Sequence, residues 1–303
     1  MKNILITGVN GFVGRNLVRF LSNNRYFQVT GVDVAERKSP EFETIQGFGY
    51  AQLDITDALS VECFFKGQQF DAIVHLAGIL SKEENATLHT KAREVNFNST
   101  CILLEMARSQ SAHFVFTSTA MVYGDQEGPF VESMPKNPEN YYALTKSLSE
   151  DMILYFHKKF GLNYTIFRPA ILYGAGQTGD SFIPSLIRAL HKNENFNMTR
   201  GEQKRDFVYV DDFSMAIKLA LETSTSGIFN IGTGTGVTIK QVAEMIAQKM
   251  QVANKLNLGA LPYRENELWN YALSYDRLHK AIGWSPLIGI EMGVELILQD
   301  ILG

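Results

Sequence analysis

The stretch "ILITGVNGFVGRNLVRFL", residues 4–21, constrains this chain more than any other. A short apolar run of β type leads into a loop carrying Gly8, Gly11 and Gly14 in the spacing G-x-x-G-x-x-G, and an amphipathic helix follows at once. Glycine permits a tight turn at Gly8, close approach of an anion to the main chain at Gly11, and close helix-to-strand packing at Gly14. The helix N-terminus adds unpaired N–H groups aimed at that anion. A glycine-rich turn that binds nothing has the same glycines; the order strand, loop, helix is what points to a pyrophosphate.

The rest of the first two-thirds repeats the rhythm. The runs "QVTGVD" (28–33), "DAIVHLA" (71–77), "HFVFTS" (113–118) and "NYTIFRP" (163–169) are strand-like and separated by helical or mixed sequence. Such alternation implies a parallel sheet covered on both faces, with ligands beyond the carboxyl ends of the strands. After about residue 173 the rhythm breaks into loops, helices and one further buried strand, "GIFNIGTG". The expected fold class is α/β: a Rossmann-type doubly wound parallel sheet with a smaller, mostly helical C-terminal lobe. Residues 1–173, with about 206–233, form the dinucleotide-binding domain; 174–205 and 234–303 form the substrate lobe.

Composition excludes several classes. With 45% hydrophobic and 20% charged residues, the 303-residue chain has an ordinary globular balance, and its net charge of −4 without a basic run argues against nucleic acid. No stretch of eighteen apolar residues and no secretory leader is present, so no membrane association and a cytoplasmic location are expected. Cys63 and Cys101 are far apart, without metal-ligand spacing, and read as reduced thiols; no metal is expected.

The second strand ends in Asp33, about 20 residues beyond the glycines, where a carboxylate accepts from ribose hydroxyls and repels a 2′-phosphate. NAD(H) is therefore favoured. NADP(H) stays possible because Arg37 and Lys38 follow closely. Asp54 and Ile55 of "LDI" are placed against the adenine, and Leu76, Ala77 and Gly78 of "HLAG" beside the pyrophosphate and nicotinamide ribose. His75, inside an apolar strand, reads as a hydrogen-bonded packing residue.

The segment "NYYALTKSLSEDMILYFHKKF", residues 140–160, holds Tyr-x-x-x-Lys twice, as Tyr142 with Lys146 and as Tyr155 with Lys159. Residues four apart share a helix face, but the second pair is rotated by roughly 220° from the first at about 100° per residue, so only one pair can face a given cleft. The first sits at the helix start, near the carboxyl end of "HFVFTST", and takes the catalytic role. An ammonium about 4 Å from the phenol is worth at most about 4 kcal/mol at an effective dielectric of 20, enough to draw Tyr142 toward working pH. Thr119, helped by Ser118, is positioned to hydrogen-bond a carbonyl oxygen that gains charge.

With these residues in place, the chain resembles the extended short-chain dehydrogenase/reductases that act on nucleotide sugars, over essentially its whole length. "TGVNGFVG", "HLAG", "TSTAMVYG", "YYALTK", "FRPAILYG" and "GEQKRDFVYVDD" match that family's motifs in order. The resemblance implies a catalytic triad of Thr119, Tyr142 and Lys146. It adds Phe12, Val13, Asn96, Thr117, Pro169, Ile171 and Leu172 to the cofactor-binding residues, and assigns Ser118, Thr119, Tyr142, Arg205 and Arg264 to the substrate. The two arginines would clamp its diphosphate, Arg offering forked donors to phosphate oxygens; the alternative is ion pairing with Asp206 or Glu265. A homodimer through helices that include 142–160 is also implied.

Departures from the family pattern narrow the reaction. Ala120 and Met121 stand where family 4,6-dehydratases carry an Asp-Glu pair, which argues against water loss, and Ile171 stands where many 4-epimerases carry Asn. Residues 198–212 and 258–267 look most like reductases of 4-keto-6-deoxy nucleotide sugars, such as dTDP-4-dehydro-6-deoxyglucose. A nucleotide-sugar 4-epimerase stays open because both use the same triad. A non-catalytic dinucleotide sensor is a third reading, disfavoured by the intact triad.

Overall fold

The computed structural model describes residues 1–22, 25–80, 85–264 and 267–302. The first half runs β1 (Lys2–Thr7), α1 (Phe12–Ser22), β2 (Phe27–Asp33), β3 (Gly49–Gln52), α2 (Ala58–Phe65), β4 (Ala72–His75), α3 (Ala86–Ala92), α4 (Ser99–Gln110), β5 (His113–Thr117), α5 (Tyr141–Phe160) and β6 (Tyr164–Pro169). Then come β7 (Ile171–Tyr173), α6 (Phe182–His191), β8 (Phe196–Met198), β9 (Lys204–Arg205), β10 (Phe207–Tyr209), α7 (Val210–Thr223) and β11 (Gly227–Ile231). The chain closes with β12 (Val237–Thr238), α8 (Ile239–Lys249), β13 (Leu256–Leu258), β14 (Asn270–Tyr271), α9 (Asp276–Ile282) and α10 (Ile290–Leu302).

Seven strands form one sheet in the order β11-β6-β5-β4-β1-β2-β3, and every neighbouring pair is parallel. The order reverses between β1 and β4, which opens a crevice at their carboxyl ends. The sheet is apolar on both faces: Ile4 and Ile6 join one buried cluster with Leu17, Val18 and Leu21 of α1, while Leu5 joins a second with Leu103 and Leu104 of α4. That double burial explains why these strands read as continuous apolar runs. The edge strand β3 escapes the sequence reading because "GYAQ" has no apolar run and is only partly buried. Just before α7, the short strand β10 pairs with β7 rather than with the main sheet. A third cluster, including Ile183, Leu186, Val242, Ile246 and Val294, packs α6, α8 and α10 together. No helix among the described residues is long and apolar enough to cross a membrane.

Candidate active site

A cleft of about 740 Å³ opens at the β1/β4 reversal, lined by Gly8, Gly11, Asp33, Asp54, Ile55, Leu76, Ala77 and Gly78 among others. Gly8 has φ +70°, and a Cβ there would lie 2.8 Å from the Ala77 main chain; one on Gly14 would lie 2.3 Å from the Gly8 carbonyl oxygen. Gly14 thus serves the packing of α1 on the loop and does not line the cleft, as expected of its place in the pattern. Asp33 is held at the rim, its carboxylate accepting from the Asn10 N–H at 3.0 Å and the Ala35 N–H at 3.2 Å.

The residues present fit a dinucleotide. The turn at Gly8, Gly11 just before α1 and the Asp33 carboxylate bound one side of the cleft, and Leu76, Ala77 and Gly78 after β4 bound another; the buried Thr117 hydroxyl at the end of β5 has no hydrogen-bond partner among the described residues. Among the lining residues that the sequence reading missed are Asn10, Lys91, Glu94 and Val95. The last three recur at i, i+3 and i+4, a helix-face signal that was available in the sequence. Phe12 and Val13 are partly buried and pack against the apolar clusters, Leu172 packs likewise, and Pro169 lies buried in β6. Ile171 is exposed at the start of β7.

Asn96 lies in a π-helical segment, Arg93–Asn98, between α3 and α4. Fully buried, its amide accepts from the Ile79 N–H at 2.7 Å and donates to the Ile79 carbonyl and the Thr145 hydroxyl, each at 3.1 Å. It ties the loop after β4 to α5 and does not line the cleft. His75 is fully buried between Thr7 and Thr100. The Thr100 hydroxyl donates to the Asn96 carbonyl, so His75 Nε2 carries the proton and Nδ1 accepts from Thr7. Burial, with Lys146 adding to it, pulls the imidazole down to about 3.

Helix α5 begins where Asn140 caps it, the Asn140 side chain accepting from the Ala143 N–H at 2.8 Å. This cap fixes the helix phase and places Tyr142 and Lys146 on the inward face. Tyr142 hydrogen-bonds Thr119, whose hydroxyl oxygen also accepts from the Met121 N–H at 3.1 Å. Lys146 is 2% exposed and donates to the Thr117 carbonyl at 2.9 Å, with its ammonium 4.6 Å from the centre of the Phe116 ring. It lies behind the cleft residue Gly78, where a Cβ would lie 3.3 Å from both Lys146 Nζ and Asn96 Oδ1.

Two expectations need correction. Lys146 does not draw Tyr142 down in this structure: burial pushes Tyr142 up to about 12, opposed only by the Thr119 hydrogen bond. The ammonium is spent on Thr117 and Phe116, and its own burial, opposed by Glu150, brings it down to about 8. Ser118 is not offered to substrate, because its hydroxyl donates to the buried Glu150 carboxylate at 2.5 Å. The second pair behaves as the helix phase requires: Tyr155 is 54% exposed and Lys159 is exposed too.

Arg205 of β9 donates to the Leu268 carbonyl and forms an ion pair with Glu267, a partner the sequence reading missed. Pairing with Asp206 does not occur, since that carboxylate is buried and accepts from the Thr233 N–H and hydroxyl and the Leu273 N–H. Arg264 is exposed, and its suggested pairing with Glu265 lies outside the described residues. Tyr271 is also new to the site: burial pushes its phenol well up, Arg205 opposes, and Tyr142 is among the groups that add to the rise.

A seven-stranded parallel sheet with a glycine-lined cleft at its switch point defines the class, a dinucleotide-binding α/β enzyme. Within it, the chain belongs to the NAD dependent epimerase/dehydratase family, whose sequence model matches residues 4–232. It is 28% identical to dTDP-glucose 4,6-dehydratase of Haemophilus influenzae, covering 97% of this chain and 96% of that one. Among solved structures it is similar to UDP-glucose 4-epimerase of Thermotoga maritima, at TM-score 0.90 and 27% identity, covering 99% and 98% of the two chains. The UDP-glucose 4-epimerase of Thermus thermophilus, solved with NAD, is similar at TM-score 0.87 and 28% identity over 99% of each chain.

Proposed function

We propose that this chain moves hydride at C4 of a nucleotide-linked sugar, and does so as an NAD(P)H-dependent reductase of a 4-keto-6-deoxy sugar. The observation that carries the reading is the meeting of Thr119, Tyr142 and Lys146 at the carboxyl ends of the strands, beside the glycine cleft. Gly8, Gly11, Asp33 and Gly78 would hold a nicotinamide dinucleotide, which would supply the hydride when bound. Tyr142, held protonated far above neutral pH, carries the proton for the sugar oxygen. The Thr119 hydroxyl, bonded to Tyr142 and held by the Met121 N–H, is the group proposed to donate to that oxygen as charge develops. Ala120 is buried and Met121 is partly exposed, and neither can shuttle the protons that water loss requires.

Arg205 and Arg264 are proposed to grip the substrate diphosphate in a lobe made of residues 174–205 and 234–303, against a dinucleotide unit of 1–173 with 206–233. Asp33 favours NAD(H), with NADP(H) as the alternative. Leu144, Leu148, Tyr155 and Phe160 leave apolar surface exposed on α5, which supports a homodimer through that helix. The likeness to two solved UDP-glucose 4-epimerases supports a second reading, 4-epimerisation with the cofactor retained. Incubation with nucleotide sugars and their 4-keto-6-deoxy forms, followed by NADH absorbance and product mass spectrometry, separates them. Stoichiometric NADH oxidation by a 4-keto sugar is expected; interconversion of two sugars without cofactor consumption would replace the reductase by the epimerase.

A further inference from the structure

Glu150 is fully buried on α5, eight residues after Tyr142 and four after Lys146, so all three share one helix face. Its carboxylate is gripped from two strands. Ser118 at the end of β5 donates to Oε1 at 2.5 Å, and Arg168 of β6 forks onto both oxygens, Nε at 3.0 Å and one terminal nitrogen at 2.6 Å. The other terminal nitrogen of Arg168 donates to the Tyr123 hydroxyl at 3.0 Å, which in turn donates to Asn230 at 2.7 Å. Lys136 Nζ stands 3.7 Å from Glu150 at the outer edge and is engaged by Asp151 at 2.6 Å.

Such a cluster does more than fill space. A buried ion pair often contributes less to stability than well-packed apolar groups of the same volume. This one joins the residue before Thr119, the strand that carries Pro169, and the helix that carries Tyr142 and Lys146. We propose that Glu150 is a positioning residue for the hydride site, fixing β5 to α5 through Ser118 and holding Lys146 in its charged form by its own negative charge. The proposal rests on the reading of Lys146 as part of that site.

The groups around Lys146 leave this task to Glu150. His75 from β4 is buried and neutral, Phe116 and the Thr117 carbonyl of β5 offer only partial charge, and so does the Asn96 amide beside Gly78. Tyr142 on the same helix is protonated. Glu150 supplies the full negative charge that offsets the burial of the ammonium, and Arg168 holds that charge in check.

The test is titration of the Lys146 Cε resonance in protein carrying ¹³C-labelled lysine, assigned with Lys146→Met, in wild type, Glu150→Gln and Arg168→Gln. Removing the carboxylate should lower the Lys146 midpoint by about one pH unit, and removing the guanidinium should raise it by a similar amount. Opposite shifts from two partners of one ion pair are not what a merely structural role produces. Midpoints within about 0.2 unit of wild type in the folded variants would overturn the proposal. So would loss of folding in both variants, which would reduce the cluster to a folding element. The titration uses neither substrate nor turnover, so its failure is distinct from failure of the ketoreductase reading.

Discussion

The two halves of α5 carry the same Tyr-x-x-x-Lys spacing and opposite surroundings. In the first half the buried positions are mostly polar: Thr145, Lys146, Ser147, Ser149 and Glu150 lie inside, and all of these but Ser147 bond to Asn96, Thr117, Ser118 or Arg168. In the second half the buried positions are Ile153 and Phe156, and the polar groups face outward up to the left-handed cap at Gly161. A helix buries charge and hydroxyls only where partners hold them, because each unpaired group would cost about 1–3 kcal/mol. Identical spacing therefore says little, and the chemistry of the buried face says which copy is part of a site.

Several changes should break or sharpen this contrast. Thr119→Val, nearly isosteric, removes the hydroxyl bonded to Tyr142; turnover should fall roughly 100-fold while NAD affinity, measured by calorimetry, stays within about twofold. Arg205→Ala acts at the proposed diphosphate grip and should raise the KM for a nucleotide sugar about 30-fold with little change in kcat, as expected for a charge-assisted contact worth about 2 kcal/mol. An unchanged KM would remove Arg205 from the substrate site.

Acid should weaken the fold around the polar half. His75, which braces Thr100 and through it Asn96, is held near 3 by burial, and His113 near 4, against an ordinary value of 6.5. Both are depressed, so the unfolded chain takes up the protons first. Their stabilisation is complete above about pH 6.5 and drains away as pH falls toward 4 and then 3, on the order of a few kcal/mol by pH 5. Scanning calorimetry should show the unfolding temperature dropping between pH 7 and 5; a flat profile would contradict the neutral buried imidazoles. At the far end of α5, Lys159→Ala should change turnover less than about twofold, since an exposed lysine in a screened setting contributes little.

The sheet was legible because doubly covered parallel strands must be apolar throughout, as Ile4, Leu5 and Ile6 are. The cleft was legible at Gly8, Gly11 and Asp33 because backbone approach and ribose binding restrict residue type. Long-range pairing was not. A glutamate inside a helix reads as a solvated face, and nothing near Glu150 in sequence announces that Ser118 and Arg168, 32 and 18 positions away, will close on it. Glu267 escaped for the same reason, standing 62 positions from Arg205. The strands β9, β12 and β14 are two residues each, too short for any periodicity to show.

The central claim is that hydride chemistry belongs to the start of α5. It is tested most directly by comparing Tyr142→Phe with Tyr155→Phe in one assay of NADH oxidation by a 4-keto-6-deoxy nucleotide sugar, with NAD binding measured on both. Tyr142→Phe should lose roughly a thousandfold in turnover while still binding NAD, and Tyr155→Phe should match wild type within about twofold. Full activity in Tyr142→Phe, or loss of turnover confined to Tyr155→Phe, would contradict the account.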